Sequence, residues 1–363
     1  MGGATRSVMR AVPLLEERGW DFSFWVPKPS LLHDELSSRG FDVDGAPRCI
    51  EYSLRAWRWP PGPVKRLRSV PGYLRAYRAF LADRQPALVH ANSILTLADA
   101  LVARRTGVPT MLHAHEMLPL DARGRMLRRA AWEHLDRIVA VSEASAQRLA
   151  WRGQLPEIVF EAAPVPDKPV AVRDHPNPFT VGTVAVVSKR KGSDLFVEAA
   201  QLLSSRRNGI GNGDGGFRFE MVGPHFDPVD RDWADALVQR ATNSGIDHVA
   251  WADVFDRFKR WDAFVLPSRS DPFPISMLEA MASGLPVVGT RADGIAEQVT
   301  PGAGVLVDSD DARGLADAIA WLADQPGEVR GELGQAARER VSQHFSLTRQ
   351  AEALDCVYRS LVK

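Results

Sequence analysis

At 363 residues, 45% of them hydrophobic, the chain is too long for one core and has ample apolar content for two. Its 45 basic and 45 acidic residues cancel, and its two cysteines, Cys49 and Cys356, form neither a CxxC pair nor a disulfide framework. The longest apolar runs fall well short of a membrane span and no charged-then-apolar leader opens the chain, so a globular protein of a reducing cytoplasm is expected.

In chain order, apolar runs and helical spacings alternate. The first half reads as strand 21–26, helix 31–39, strand 87–90, helix 94–105, strand 110–113, helix 123–134, strand 137–141 and helix 143–152. Residues 164–178, rich in proline and charge, read as a linker. The alternation then resumes with strand 180–187, helix 193–205, strand 218–222, helix 233–244, strand 263–266, a helix carrying Glu279, and strands 287–289 and 304–307. Residues 314–363 read as helical throughout. Repeated βα units with short apolar strands predict parallel sheets covered on both faces, hence an α/β protein of two doubly wound domains with ligands at the carboxyl ends of the strands.

The charge is unevenly spread. Residues 1–169 hold 24 basic and 18 acidic side chains, and the remainder 21 and 27. Nine basic residues lie between Arg48 and Arg84 against only Glu51 and Asp83, interleaved with Tyr52, Trp57, Trp59, Tyr73 and Tyr77. Solvated helix faces are the first reading of this stretch and peripheral contact with an anionic membrane the second; no nucleic-acid motif accompanies it.

Three clusters carry chemistry. The segment 266–290 closes a strand, breaks at Pro267, Pro272 and Pro274, and opens a helix, with Asp271 and Glu279 eight residues apart. Proline suits a first helical turn, and a helix start after a buried strand offers amide groups and a positive dipole end to phosphates or hydroxyls. Taken alone, Glu279 reads first as a solvated face. The run Ser188, Lys189, Arg190, Lys191, Gly192 places cations at the end of another strand, where they could neutralise a diphosphate or simply form a solvated turn. His113, Ala114, His115 and Glu116 end a strand of the first half; HxH lacks further metal ligands, and Pro119 breaks HExxH. Residues 209–216 follow a helix and precede a strand, the reverse of a phosphate loop, and the acidic run 308–311 is better suited to helix capping than to metal binding.

The whole segment Asp271, Pro272, Phe273, followed by Glu279, Ala280, Met281, Ala282, Gly284, Pro286 and Val287, resembles the donor-binding motif of retaining glycosyltransferases of family 4. The resemblance implies a GT-B fold: an acceptor-side domain over 1–168, completed by helix 345–363, and a nucleotide-sugar domain over 169–344, facing a central cleft. It implies transfer of a sugar from a nucleoside-diphosphate sugar to an acceptor hydroxyl, glycan, lipid-linked or small, with retention and without metal or other cofactor. Glu279 would hold ribose hydroxyls, Asp271 and the backbone of Phe273, Pro274, Ile275 and Ser276 the sugar, and Lys191 with Gly192 the diphosphate, Arg190 or Lys189 assisting. His115 would hydrogen-bond the transferring sugar and Glu116 orient the ring or the acceptor, with His113 as the alternative to His115.

Departures accompany the match. Asp271 replaces a glutamate, Pro274 a glycine whose amide would face the sugar, Asp293 the first glycine of a Gly-Gly-x-x-Glu turn, and Val186 an arginine. Gly2 and Gly3 match a glycine pair that should follow a central first strand and approach the diphosphate; that strand is missing, and an upstream extension is expected to supply it. These departures leave a catalytically weak binder of sugar nucleotides, or a scaffold, as the alternative reading, with a nucleotide-sugar epimerase third.

Overall fold

The computed structural model describes residues 3–46, 70–206, 216–225 and 231–362. Gly2, the part of the basic and aromatic stretch at 48–69, and most of the glycine-rich loop, 209–215, lie outside the described residues. The chain divides into two compact units, Met1–Phe160 with Leu347–Lys363, and Glu161–Ser346.

Unit 1 opens on α1 (Gly3–Glu16), followed by β1 (Ser23–Trp25), α2 (Leu31–Ser38), β2 (Asp42–Asp44), α3 (Val70–Arg84), β3 (Val89–Asn92), a 3₁₀ turn at Ile94–Thr96, α4 (Leu97–Arg105), β4 (Thr110–Ala114), α5 (Ala122–His134), β5 (Arg137–Ala140), α6 (Glu143–Leu149) and β6 (Glu157–Ile158). Among the described residues its strands pair parallel in two groups, β1 with β2, and β3-β4-β5-β6. Helix starts follow the capping chemistry of their sequences: Ser30 accepts from His33 N–H, Asp121 from Gly124 N–H, and Ser142 and Ser145 form a reciprocal box. Helix α1 buries Val8, Met9, Ala11, Val12 and Leu15, a helical spacing of apolar residues.

Unit 2 runs β7 (Phe179–Val184), α7 (Ser193–Arg206), β8 (Phe217–Val222), α8 (Arg231–Asn243), β9 (Asp247–Val249), α9 (Val254–Phe258), β10 (Ala263–Leu266), α10 (Ile275–Ala282), β11 (Val287–Thr290), α11 (Ile295–Gln298), β12 (Val305–Val307), α12 (Ala312–Asp324) and α13 (Gly327–His344). All six strands are parallel in the order β12-β11-β10-β7-β8-β9. β10 and β11 are buried throughout and β7 nearly so, as apolar runs sandwiched between helices require. Phe196, Phe217, Phe219, Val265, Val288 and Ile319 form the centre of the core. Each such aromatic removed from water stabilises by roughly 1.5–3 kcal/mol.

The last helix, α14 (Leu347–Leu361), returns to unit 1 and packs on α1. Gln350 Nε2 donates to Ser7 Oγ at 2.7 Å, Trp20 Nε1 to Asp355 Oδ1 at 2.7 Å, and the Tyr358 hydroxyl meets His90 Nδ1 at 2.7 Å.

Several boundaries differ from those the sequence predicts. The crossing into unit 2 falls at Glu161, not 169, and the return at Leu347, not 345. The supposed linker is packed: Val170 N–H donates to Ser283 O, Arg338 to Pro166 O, and Arg330 to the carbonyls of Arg173 and Asp174. It is pinned by backbone and arginine-to-carbonyl bonds rather than hanging as a tether. Residues 314–363 form parts of three helices, interrupted at Gln325–Pro326 and Phe345–Ser346, because Pro326 cannot continue a helix. Tyr73 and Tyr77, counted with the basic surface stretch, instead belong to an aromatic cluster with Trp25 and Phe80, and Tyr73 Oη donates to Asp99 at 2.8 Å. Among the described residues no helix is long and apolar enough to cross a membrane.

Candidate functional site

The sheet of unit 2 reverses direction of growth at β7: β8 and β9 lie to one side, and β10, β11 and β12 to the other. Loops leaving the carboxyl ends of β7 and β10 thus part to opposite faces, and the crevice between them is where open parallel sheets take ligands. Those loops are 185–192 and 267–274, which carry two of the three clusters singled out above.

They are tightly joined. Arg269 N–H donates to Arg190 O at 2.8 Å, and the Arg190 guanidinium donates to Ser270 O at 2.8 Å. Gly192 adopts φ +64°, and a Cβ there would lie 1.8 Å from Pro267 O, so only glycine lets the loops approach this closely. Arg269 adds a second fastening, a fork of 2.7 and 2.9 Å to Asp194 at the start of α7 and a bond to Asp310, and these carboxylates raise its pKa. Asp310 is thereby committed to Arg269, while Asp311 caps α12 through Gly314 N–H at 2.8 Å.

Inside this frame Asp271 is 4% exposed and forms an ion pair with Lys191. Ser268 Oγ donates to the same carboxylate at 3.3 Å, and Arg190 Nη1 stands 3.9 Å from its other oxygen. Two residues assigned separate duties, one on the sugar and one on the diphosphate, therefore hold each other. Phe273 is buried and meets the edge of Phe345 at 5.2 Å. Pro274 is the N-cap residue of α10, with φ −69° and ψ 120°, one position ahead of the first turn in which its sequence placed it. It supplies no side-chain cap, so the first-turn amides after Ile275 and Ser276 receive no local acceptor from it. Glu279 is 1% exposed, among Met277, Leu278, Ala280, Met281 and Ala282, all buried. The solvated-face reading of Glu279 is thus wrong: the helix is buried nearly all round, and a carboxylate on it requires a specific reason.

In unit 1 the third cluster sits at the ends of β3 and β4. His115 is half-buried, and its Nε2 lies 2.7 Å from Asn92 Oδ1; Asn92 Nδ2 donates to Ala4 O at 3.3 Å. With the amide so oriented, Nε2 of His115 carries a proton. Glu116 is engaged within unit 1. Its carboxylate accepts from the Ser93 hydroxyl, from Ile94 N–H at 3.1 Å and from His115 N–H at 3.0 Å. It clamps the β3 and β4 loops together and holds Ser93, whose φ of 140° is strained for a non-glycine residue. His113 is fully buried, 4.3 Å from the His115 ring and 5.4 Å from His90. Neither of its ring nitrogens meets a partner in hydrogen-bond geometry among the described residues. Burial, then the His115 and His90 rings, hold its pKa well below the ordinary histidine value, the nearby Val159 backbone opposing; burial pushes His90 down to about 3. His113 is a neutral core residue, which removes it as the alternative to His115. Gly3 is an exposed first residue of α1.

Asn92 was not among the residues singled out from sequence. Its signal is a polar side chain closing the strand Val89–Asn92, next to Ser93, but its partner is 23 residues away. Val186 is 40% exposed just beyond β7, so no cation stands at that position.

Comparison with known proteins bears on both units. The family model described as Glycosyl transferases group 1 matches residues 167–340, and that described as Glycosyltransferase Family 4 matches residues 1–160. The lipopolysaccharide core biosynthesis mannosyltransferase LpsB of Rhizobium meliloti (strain 1021) is 31% identical over 192 residues, 50% of this chain and 52% of that protein. A D-inositol 3-phosphate glycosyltransferase of Arthrobacter sp. (strain FB24) is 32% identical over 155 residues, 42% and 35% of the two chains. The chain thus spans about half or less of the length of these curated relatives. Among solved structures, Anabaena HepE in complex with UDP and glucose superposes with a TM-score of 0.80 at 17% identity, covering 99% of this chain and 96% of that one.

Proposed function

From the premise that the chain belongs to the glycosyl transferases group 1 and has a two-domain GT-B fold, we propose that it transfers a glycosyl group from a nucleoside-diphosphate sugar to an acceptor hydroxyl, retaining the anomeric configuration. The observation that carries this reading is the pair of Lys191 with buried Asp271 at the switch point of the unit 2 sheet. A diphosphate arriving there meets Lys191, Arg190 and the uncapped start of α10, which together oppose its charge without a divalent cation. Charge on the leaving diphosphate grows as the glycosidic bond breaks, so these groups bind the transition state more tightly than the donor. Asp271, with the carbonyl-rich turn around Phe273 and Pro274, takes the sugar hydroxyls, and Glu279 the ribose diol. His115 keeps the role of hydrogen-bonding the transferring sugar, with Asn92 and Glu116 as its supports rather than as contacts to substrate.

Attack from the same face as departure, with the leaving phosphate accepting the acceptor's proton, gives retention without a carboxylate nucleophile. Support for the donor class comes from the UDP-glucose complex of HepE, and for a glycan acceptor from the rhizobial core mannosyltransferases.

The test is release of nucleoside diphosphate from UDP-glucose and GDP-mannose. Slow acceptor-independent release, abolished by Glu279→Ala and insensitive to EDTA, is expected. Saturable binding without release would mean a sugar-nucleotide binder or scaffold instead. The anomeric configuration of the product, read by NMR, tests retention separately.

A further inference from the structure

The turn at 270–274 is short of internal hydrogen bonds, because Pro272 and Pro274 have no amide to donate. It is held from outside on two sides, by the 185–192 loop through Arg190 and Lys191 and by one short segment, 293–298. The Asp293 carboxylate accepts from Ser270 Oγ at 2.5 Å and, through the same oxygen, from Asp271 N–H at 3.0 Å. Gly294 N–H donates to Asp271 O at 3.1 Å, and Gln298 Nε2 to Pro274 O at 3.1 Å. A Cβ on Gly294 would lie 1.9 Å from Pro272 O, so the two segments are in backbone contact. Asp293 itself sits at φ +41°, in the left-handed region that aspartate tolerates better than most residues.

We propose that Asp293 is a positioning residue of the donor site: by taking the Ser270 hydroxyl and the Asp271 amide on one side of the turn, it fixes the Asp271 carboxylate toward Lys191 on the other. Two neighbouring carboxylates, one on the turn and one on the segment beside it, would otherwise repel and compete for the same cation. Here Asp293 is occupied by neutral donors, and Lys191 pairs with Asp271. The role rests on the donor-site reading above, in that the group being aimed is the one that meets the sugar. It predicts an effect on the sugar end of the site and little on the nucleotide end, where Glu279 acts.

The experiment compares Asp293→Ala, Asp293→Asn and Ser270→Ala with the unsubstituted chain. It reads hydrogen exchange of the Asp271 amide, affinity for UDP and GDP, and kcat and KM for diphosphate release from UDP-glucose and GDP-mannose. Expected are faster exchange of the Asp271 amide in Asp293→Ala and a fall in kcat of roughly 10-fold or more, since small misplacements of reacting groups are costly in rate. UDP or GDP affinity should stay within about twofold. Asp293→Asn, which retains an acceptor oxygen, should recover most of the rate, and Ser270→Ala, which removes one bond of the pair, should fall between. Unchanged exchange and kcat in Asp293→Ala would overturn the proposal. So would an equal loss of nucleotide affinity, or an Asp293→Asn variant as slow as Asp293→Ala. If the chain released no diphosphate at all, the function reading would fail, while exchange at Asp271 would still decide whether Asp293 holds the turn. Should Asp293→Ala not fold, Ser270→Ala carries the same comparison.

Discussion

Two carboxylates, one in each unit, are held by different means. Asp271 leans on a cationic side chain and a hydroxyl, Lys191 and Ser268, whereas Glu116 is filled by one hydroxyl and two backbone amides. A lysine ammonium has three donors and can be shared with an incoming anion; backbone amides are fixed by the fold and cannot follow a ligand. Side-chain pairing therefore marks a carboxylate able to exchange partners, and amide pairing marks one built into the architecture.

The contrast breaks most visibly at Lys191. Lys191→Ala should lower diphosphate release by about 100-fold or more and destabilise unit 2 by roughly 3 kcal/mol, because Asp271 would be left buried without its cation. A loss of rate with an unchanged melting temperature would show that the pair is weaker than its burial implies. Glu116→Ala should do the opposite, costing about 2 kcal/mol in urea unfolding through orphaned amides at Ile94 and His115, with acceptor KM little changed. A large KM effect at constant stability would return Glu116 to the substrate.

Acid sharpens the comparison further. His90 and His113 are neutral in the folded state and titrate near 6.5 when unfolded, so below that pH the unfolded chain binds more protons. Their contribution is complete above pH 6.5 and declines as pH falls towards 3, at up to about 1.4 kcal/mol per pH unit for each. His113→Phe should flatten the slope of stability against pH between 6.5 and 4; an unaltered slope would show that His113 is not the titrating group. The smallest effect is expected at Arg190, whose contact with Asp271 is long at 3.9 Å. Arg190→Ala should weaken UDP or GDP binding by several-fold, about 1 kcal/mol, with kcat almost intact.

The strands β10 and β11 of unit 2 were legible because they are apolar runs, and the switch-point loops because proline and glycine punctuate them. β2, β6 and β9 were missed: two or three residues long and largely exposed, they carry no run or alternation. Helix α3 lies in the stretch 48–84 that reads first as solvated helix faces, without bounds of its own because it opens on Val70, Pro71 and Gly72. The Lys191–Asp271 approach spans 80 positions, and the partners of Glu116 lie 22 and 23 positions back as an amide and a hydroxyl. No local pattern encodes such pairings. The resemblance supplied the candidate residues; which of them touch one another came from the fold.

Unit 2 is one continuous stretch, and its ends are neighbours: Ala163 forms a parallel bridge with Ser346 and donates to Phe345 O. Unit 1 is by contrast a discontinuous host, closed only when α14 rejoins it. In genetic terms residues 161–346 are a cassette. With its ends side by side, the stretch has only two junctions with its host, and an exchange at those two positions would leave the sequence of unit 1 intact.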